Sequence, residues 1–288
     1  MSKEPSTLSR RRFTALTLAA GIDAAAPSAA ADANDVIDTD VRIETANGTC
    51  DAALILPRSK GPSPAVILFP DAFGLRPAMR TMARRLALSG YAVLVPNPYY
   101  RSTTAPGLSP GFDFANPLDR AKLDALRAPL TGDAVMRDSR AYVGFLDARP
   151  DIDRKAKMGV VGYCMGGAMT MQAAAANPDR IGAGASFHGG GLVTGNPGSP
   201  HLLVPKIKAR YYFGVADNDD RQQPEAKGAL AAAFAATGVP AKIEVYAGTQ
   251  HGWCVPDMPM KDGKPIYDER EAERAWHELI ALYRMARV

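Results

Sequence analysis

The sequence predicts an α/β protein, with a mostly parallel sheet covered by helices on both faces. Three observations carry this expectation. Six short runs read as strands, several of them almost continuously apolar, helical stretches separate them, and no internal repeat or long linker divides the 288 residues. Strands covered on both faces read as unbroken apolar runs because neither side meets water. Alternation of such strands with helices points to a layered parallel sheet.

In chain order, segments 40–46 and 50–56 are expected as antiparallel edge strands. The apolar run SPAVILFP (63–70) is the first core strand, followed by a helix over 76–90 and the strand YAVLVPNP (91–98). The Pro-rich stretch from Pro106 to Pro117 reads as an excursion above the sheet. A helix over 133–148 leads to the strand KMGVVGYC (157–164), then a helix over 167–177 and the strand RIGAGASF (180–187). The Gly- and Pro-rich 189–205 is a second excursion. Strands ARYYFGVA (209–216) and AKIEVYAG (241–248) flank a helix over 223–236, and a helix over 266–286 closes the chain. Residues 34–288 are expected to form a single domain.

Composition excludes several classes. With 47% hydrophobic and 22% charged residues, the chain is neither a disordered tract nor a coiled coil. Lys and Arg total 34 against 30 Asp and Glu, and no basic block stands out beyond the N-terminus, so no nucleic-acid partner is expected. Three cysteines cannot build a disulfide framework, and the odd count leaves one thiol unpaired.

The N-terminus has a different character. Arg10, Arg11 and Arg12 precede Phe13, an Ala-rich run and a small-residue region. Basic head, apolar middle and small-residue end are the layout of an export signal, and the arginines resemble a twin-arginine leader. Residues 1–33 are therefore expected to engage the twin-arginine export machinery, with cleavage around Ala31 to Ala33 and a periplasmic or secreted product. The alternative is a cytoplasmic protein with an Ala-rich tail. Loss of residues 1–31 removes two net positive charges, leaving +2.

The chemistry is expected at strand ends. Gly162-Tyr163-Cys164-Met165-Gly166-Gly167 follows an apolar strand and opens an Ala-rich helix. This is a strand–turn–helix elbow with cysteine at the nucleophile position. Its glycines avoid collisions on the tight turn, and the helix N-terminus favours a thiolate. Of four histidines, His251 follows the last strand and is the candidate base. His188 also ends a strand and is a pocket candidate, His201 lies between prolines, and His277 sits in the last helix. Asp217, Asp219 and Asp220 all follow the strand between nucleophile and base, and position alone does not choose among them. The histidines lack metal-ligand spacing, so no metal or other cofactor is expected. No Cys-x-x-Cys occurs, which argues against a redox role for Cys164.

At these residues the chain resembles the dienelactone hydrolase family, a branch of the α/β-hydrolase fold that uses Cys, His and Asp. The likeness runs from about residue 40 to the C-terminus and rests on the Cys164 elbow and on His251-Gly252-Trp253. It implies Asp219 as the orienting acid, with Asp217 and Asp220 as runners-up. It also implies an oxyanion hole from the Ala72 and Met165 N–H groups, and Asp71 in place of a glutamate that tunes the resting thiol. Phe73, Tyr99, Tyr100, Arg101 and Trp253 are the further pocket candidates. Val255 stands where family members acting on dienelactone carry a carboxylate-binding arginine, and Arg101 is the candidate to compensate. The implied activity is hydrolysis of carboxylic esters or lactones by a monomer acting on small molecules. A thioesterase or acyl-transferring enzyme on the same residues, or a non-catalytic binding protein, are the alternatives. Cys50 and Cys254 are either a disulfide pair or two free thiols.

Overall fold

The computed structural model describes residues 35–59, 61–108 and 111–288. The expected leader, residues 1–33, lies outside them. Eight strands form one sheet in the order β1-β2-β4-β3-β5-β6-β7-β8. These are β1 (Val36–Thr45), β2 (Gly48–Pro57), β3 (Ala65–Phe69), β4 (Ala92–Pro96), β5 (Met158–Tyr163), β6 (Ile181–Phe187), β7 (Arg210–Ala216) and β8 (Ala241–Tyr246). β1 and β2 pair antiparallel, and β2 also runs antiparallel to β4. All pairs from β4 through β8 are parallel. Every residue of β3, β4 and β5 is buried, as apolar runs flanked by helices on both sides require.

Two apolar layers hold the helices to the sheet. On one face α1 (Pro77–Leu88) contributes Met79, Ala83 and Leu86, while α7 (Glu269–Ala286) contributes Ala275, Leu279 and Tyr283. On the other face α3 (Gly132–Asp147) places Val135, Tyr142 and Leu146 against Met169 and Met171 of α4 (Met165–Ala176). Leu230 and Phe234 of α6 (Ala226–Thr237) complete that layer.

Besides a short 3-10 helix, Pro200–Lys206, in the second excursion, three features were not anticipated. The first excursion carries a helix, α2 (Pro117–Arg127), started by Asn116, whose side chain accepts the Leu118 N–H, and by Pro117 in the first turn. The aspartate-rich turn after β7 is a short helix, α5 (Asp217–Gln222). A small hairpin, β9 (Met260–Lys261) with β10 (Lys264–Pro265), follows the candidate base.

The cysteines are all free. Cys50 is buried in one layer beside Tyr142 and Asn97, and Cys254 is buried in the other, so the sheet separates them. Burial pushes the Cys50 thiol up to about 12 and the Cys254 thiol well above its ordinary value. Cys164 alone of the three is partly exposed.

Candidate active site

The parallel strands deliver their chemistry to one edge. Asp71 and Ala72 follow β3, Cys164 follows β5, His188 follows β6, Asp219 follows β7 and His251 follows β8. The C-terminal edge of such a sheet is where side chains on short loops converge on a ligand. There a cavity of about 1090 Å³ is lined by Asp71, Ala72, Cys164, Met165, His188 and His251 among others.

Cys164 stands at φ 52°, ψ −119°, a strained left-handed turn that lifts the side chain above the start of α4. Close packing explains the glycines around it. A Cβ at Gly162 would lie 2.1 Å from the Gly166 carbonyl oxygen, and one at Gly166 would lie 2.3 Å from the Phe69 oxygen. The Cys164 N–H donates to His188 Nδ1 at 3.2 Å and to the Phe187 carbonyl at 3.2 Å. The Met165 and Ala72 N–H groups have no backbone acceptor among the described residues, which leaves both free for a developing oxyanion.

His251 Nδ1 lies 2.7 Å from Asp219 Oδ2. That bond leaves Nε2 unengaged among the described residues, on a ring that lines the same cavity as Cys164. The other two aspartates are occupied elsewhere: Asp217 accepts from Arg221 and the Gly248 N–H, and Asp220 pairs with Lys227. Asn218 adds a further hold by accepting the His251 N–H at 2.7 Å. Sequence reading missed Asn218, although its place between two candidate acids was visible.

Burial alone would depress His251, but the Asp219 carboxylate and Cys164 outweigh it and raise the imidazole to about 10. A raised basic group stabilises the fold fully below its unfolded value of 6.5 and loses that contribution as pH climbs through about 10. Wild type should therefore exceed His251→Gln in stability by a constant margin below about pH 6.5. The margin should shrink toward pH 10, as read by urea unfolding at several pH values; a margin that grows with pH would contradict the assignment.

His188 behaves oppositely. It is 1% exposed, and its ring centroid is 4.8 Å from that of His251. Burial first, then His251, lower it well below 6.5, so it is neutral. With Nδ1 accepting from Cys164, the proton resides on Nε2.

Four of the pocket candidates do not reach the cavity. Trp253 is fully buried, packed against Phe187, His188 and Tyr246. Tyr99 is buried and its hydroxyl donates to the Ala72 carbonyl at 2.7 Å, so it braces the loop that carries the Ala72 N–H. Tyr100 donates to Asp138, and Arg101 pairs with the same carboxylate at 2.8 Å. A buried Asp138 needs that cation, which removes Arg101 as a substrate clamp. Phe73 and His188 do line the cavity. Asp71 lines it too, but makes no hydrogen bond to Cys164 among the described residues. Arg76 grips its two oxygens at 2.7 and 3.0 Å, and the Phe73 N–H takes Oδ1 at 2.9 Å. The same guanidinium holds Asp257 at 2.7 and 2.6 Å, tying the Ala72 loop to the segment after His251.

Among the described residues no group of three or more His, Cys, Asp or Glu side chains is placed to hold a metal ion. The arrangement brings a thiol, an imidazole paired with a carboxylate and two backbone N–H groups to one cavity, the kinds of group that acyl transfer uses.

Comparison with known proteins agrees with this chemistry. The model of the dienelactone hydrolase family matches residues 50–286. A protein of Methylorubrum extorquens named as a carboxymethylenebutenolidase is 29% identical over 283 residues, covering 95% of this chain and 91% of its own. A Synechocystis protein of the same name is 26% identical, covering 86% of this chain and 97% of its own. The crystal structure of a Klebsiella pneumoniae protein named as a dienelactone hydrolase superposes with a TM-score of 0.73 at 22% identity. It covers 87% of this chain and 99% of its own, and it supports the α/β-hydrolase fold. From its fold and the extent of the family match, the chain belongs to the dienelactone hydrolase family.

Proposed function

We propose that the protein hydrolyses carboxylic esters or lactones through Cys164, with His251 as proton carrier and Asp219 as its orienter. The observation that carries this reading is the line from Asp219 through His251 Nδ1, 2.7 Å apart, to a nucleophile raised on a strained turn. The Cys164 sulfur attacks the carbonyl carbon, forming a C–S bond, and the oxyanion settles between the Ala72 and Met165 N–H groups. Collapse breaks the C–O bond, and the His251 Nε2 proton passes to the leaving oxygen. Water then attacks the thioester, its proton returns to His251, and breakage of the C–S bond regenerates the thiolate. The relatives named as carboxymethylenebutenolidases support ester or lactone cleavage.

Three single variants test the assignment of the acid. Asp219→Asn should lower kcat/KM for p-nitrophenyl esters by about 10³–10⁴, because an amide neither fixes the ring tautomer nor stabilises the imidazolium. Asp217→Asn and Asp220→Asn should each cost less than about 10-fold, since neither touches His251. Equal losses across all three would refute the role given to Asp219.

The same reading includes export. The Arg10-Arg11-Arg12 leader supports delivery of a monomeric mature protein to the periplasm, and N-terminal sequencing of the exported chain tests it. A protein that stays in the cytoplasm with Met1 or Ser2 at its start would exclude this.

A further inference from the structure

The cavity is larger than a small lactone requires. At about 1090 Å³ it lies at the upper end of ligand pockets, which run from about 300 to 1,000 Å³. Phe114, Leu123, Leu130, Val135 and Met169 give it an apolar wall, to which α2 and α4 also contribute Asp124, Arg127 and Gln172. Gln250, Met258 and Lys261 line it from the segment around and after His251.

Mechanistic geometry says which part of an ester meets which wall. A tetrahedral adduct on Cys164 has three substituents besides sulfur. Its oxyanion points to the Ala72 and Met165 N–H groups. Its leaving oxygen must come within hydrogen-bond reach of the His251 imidazole that protonates it. The remaining acyl substituent is left the rest of the cavity, where Phe114, Leu123, Leu130, Val135 and Met169 supply the apolar wall. Phe73, Phe112 and Phe114 extend that wall outward as an edge-to-face cluster, with centroids 4.9 to 5.8 Å apart. Phe114 is 47% exposed although it lines the cavity, so apolar surface is left for a substrate to cover.

We propose that the substrates are esters with an extended or aryl-bearing apolar acyl group, seated between α2, α3 and α4. This rests on the reading that Cys164 and His251 perform the chemistry. Leu123 is the specificity-determining residue: it is the one buried residue of α2 and the apolar one of the three, with Asp124 and Arg127, that this helix places on the cavity.

The test is a series of p-nitrophenyl esters from acetate to octanoate. Each methylene buried on the wall contributes about 4-fold, so kcat/KM should rise at least about 10-fold from acetate to hexanoate. Leu123→Asp and Phe114→Ala should each reduce the hexanoate-to-acetate ratio several-fold. Phe114 is half-exposed, so its removal costs the fold less than a change at buried Leu123. A flat or falling series with Cys164-dependent turnover would overturn the acyl assignment and leave the mechanism standing. An unchanged ratio in both variants would do the same. Failure of wild type to turn over any ester would instead remove the mechanism on which the proposal rests.

Discussion

Cys164→Ala should lower kcat/KM for activated aryl esters by about 10⁵-fold while the protein unfolds within about 1 kcal/mol of wild type. Removing the sulfur removes the covalent route, and the two free N–H groups are left with only the residual rate they support alone. The fold is spared because alanine fills less space at a partly exposed position and inherits the same positive φ. Cys164→Ser separates nucleophile identity from geometry. Serine keeps the shape, yet its hydroxyl forms no ready anion and must surrender a proton during attack. Serine should thus fall close to the alanine variant. Trapping an acyl adduct on wild type and locating it by peptide mass completes the test. Full activity in Cys164→Ala would exclude the covalent mechanism.

Gly162→Ala should destabilise the protein by roughly 3 kcal/mol or more and abolish activity with it. The new methyl would meet the Gly166 carbonyl oxygen at 2.1 Å, the Gly166 carbonyl carbon at 2.3 Å and the Gly167 nitrogen at 2.9 Å. All three are backbone atoms of the first turn of α4, so no side chain can swing aside. Relief requires α4 to move off β5, which displaces the Met165 N–H from its place beside Cys164. Gly144→Ala is the contrasting substitution. Gly144 lies inside α3 with nothing within 4 Å of the added methyl, and alanine there should stabilise by about 0.5–1 kcal/mol. Urea denaturation of both variants reads the difference. A Gly162→Ala protein of wild-type stability would refute the packing argument.

The strands were legible because burial on two faces writes an unbroken apolar run, as in AVILF of β3 and AVLVP of β4. Cys164, Asp219 and His251 were legible for a related reason. Each follows a strand, and a parallel sheet brings the ends of its strands to one edge, so order along the chain predicts proximity. Helix α2 carried a readable start in Asn116 and Pro117, but the prolines before it read as loop.

What the sequence by itself determined was the class of the fold, the elbow and the order of the candidate groups along the chain, all set by local patterns of apolar residues and glycine. Tertiary structure alone decided the remainder. It placed Asp219 against His251 and gave Asp217 and Asp220 other partners. It committed Asp71 to Arg76 and Arg101 to Asp138. It also buried Trp253 and Tyr99 behind the cavity and turned Leu123 and Met169 toward it. The physical reason is that a side chain's role depends on the nearest charge or acceptor in space, and these partners come from other elements or from turns whose geometry the residue pattern does not encode.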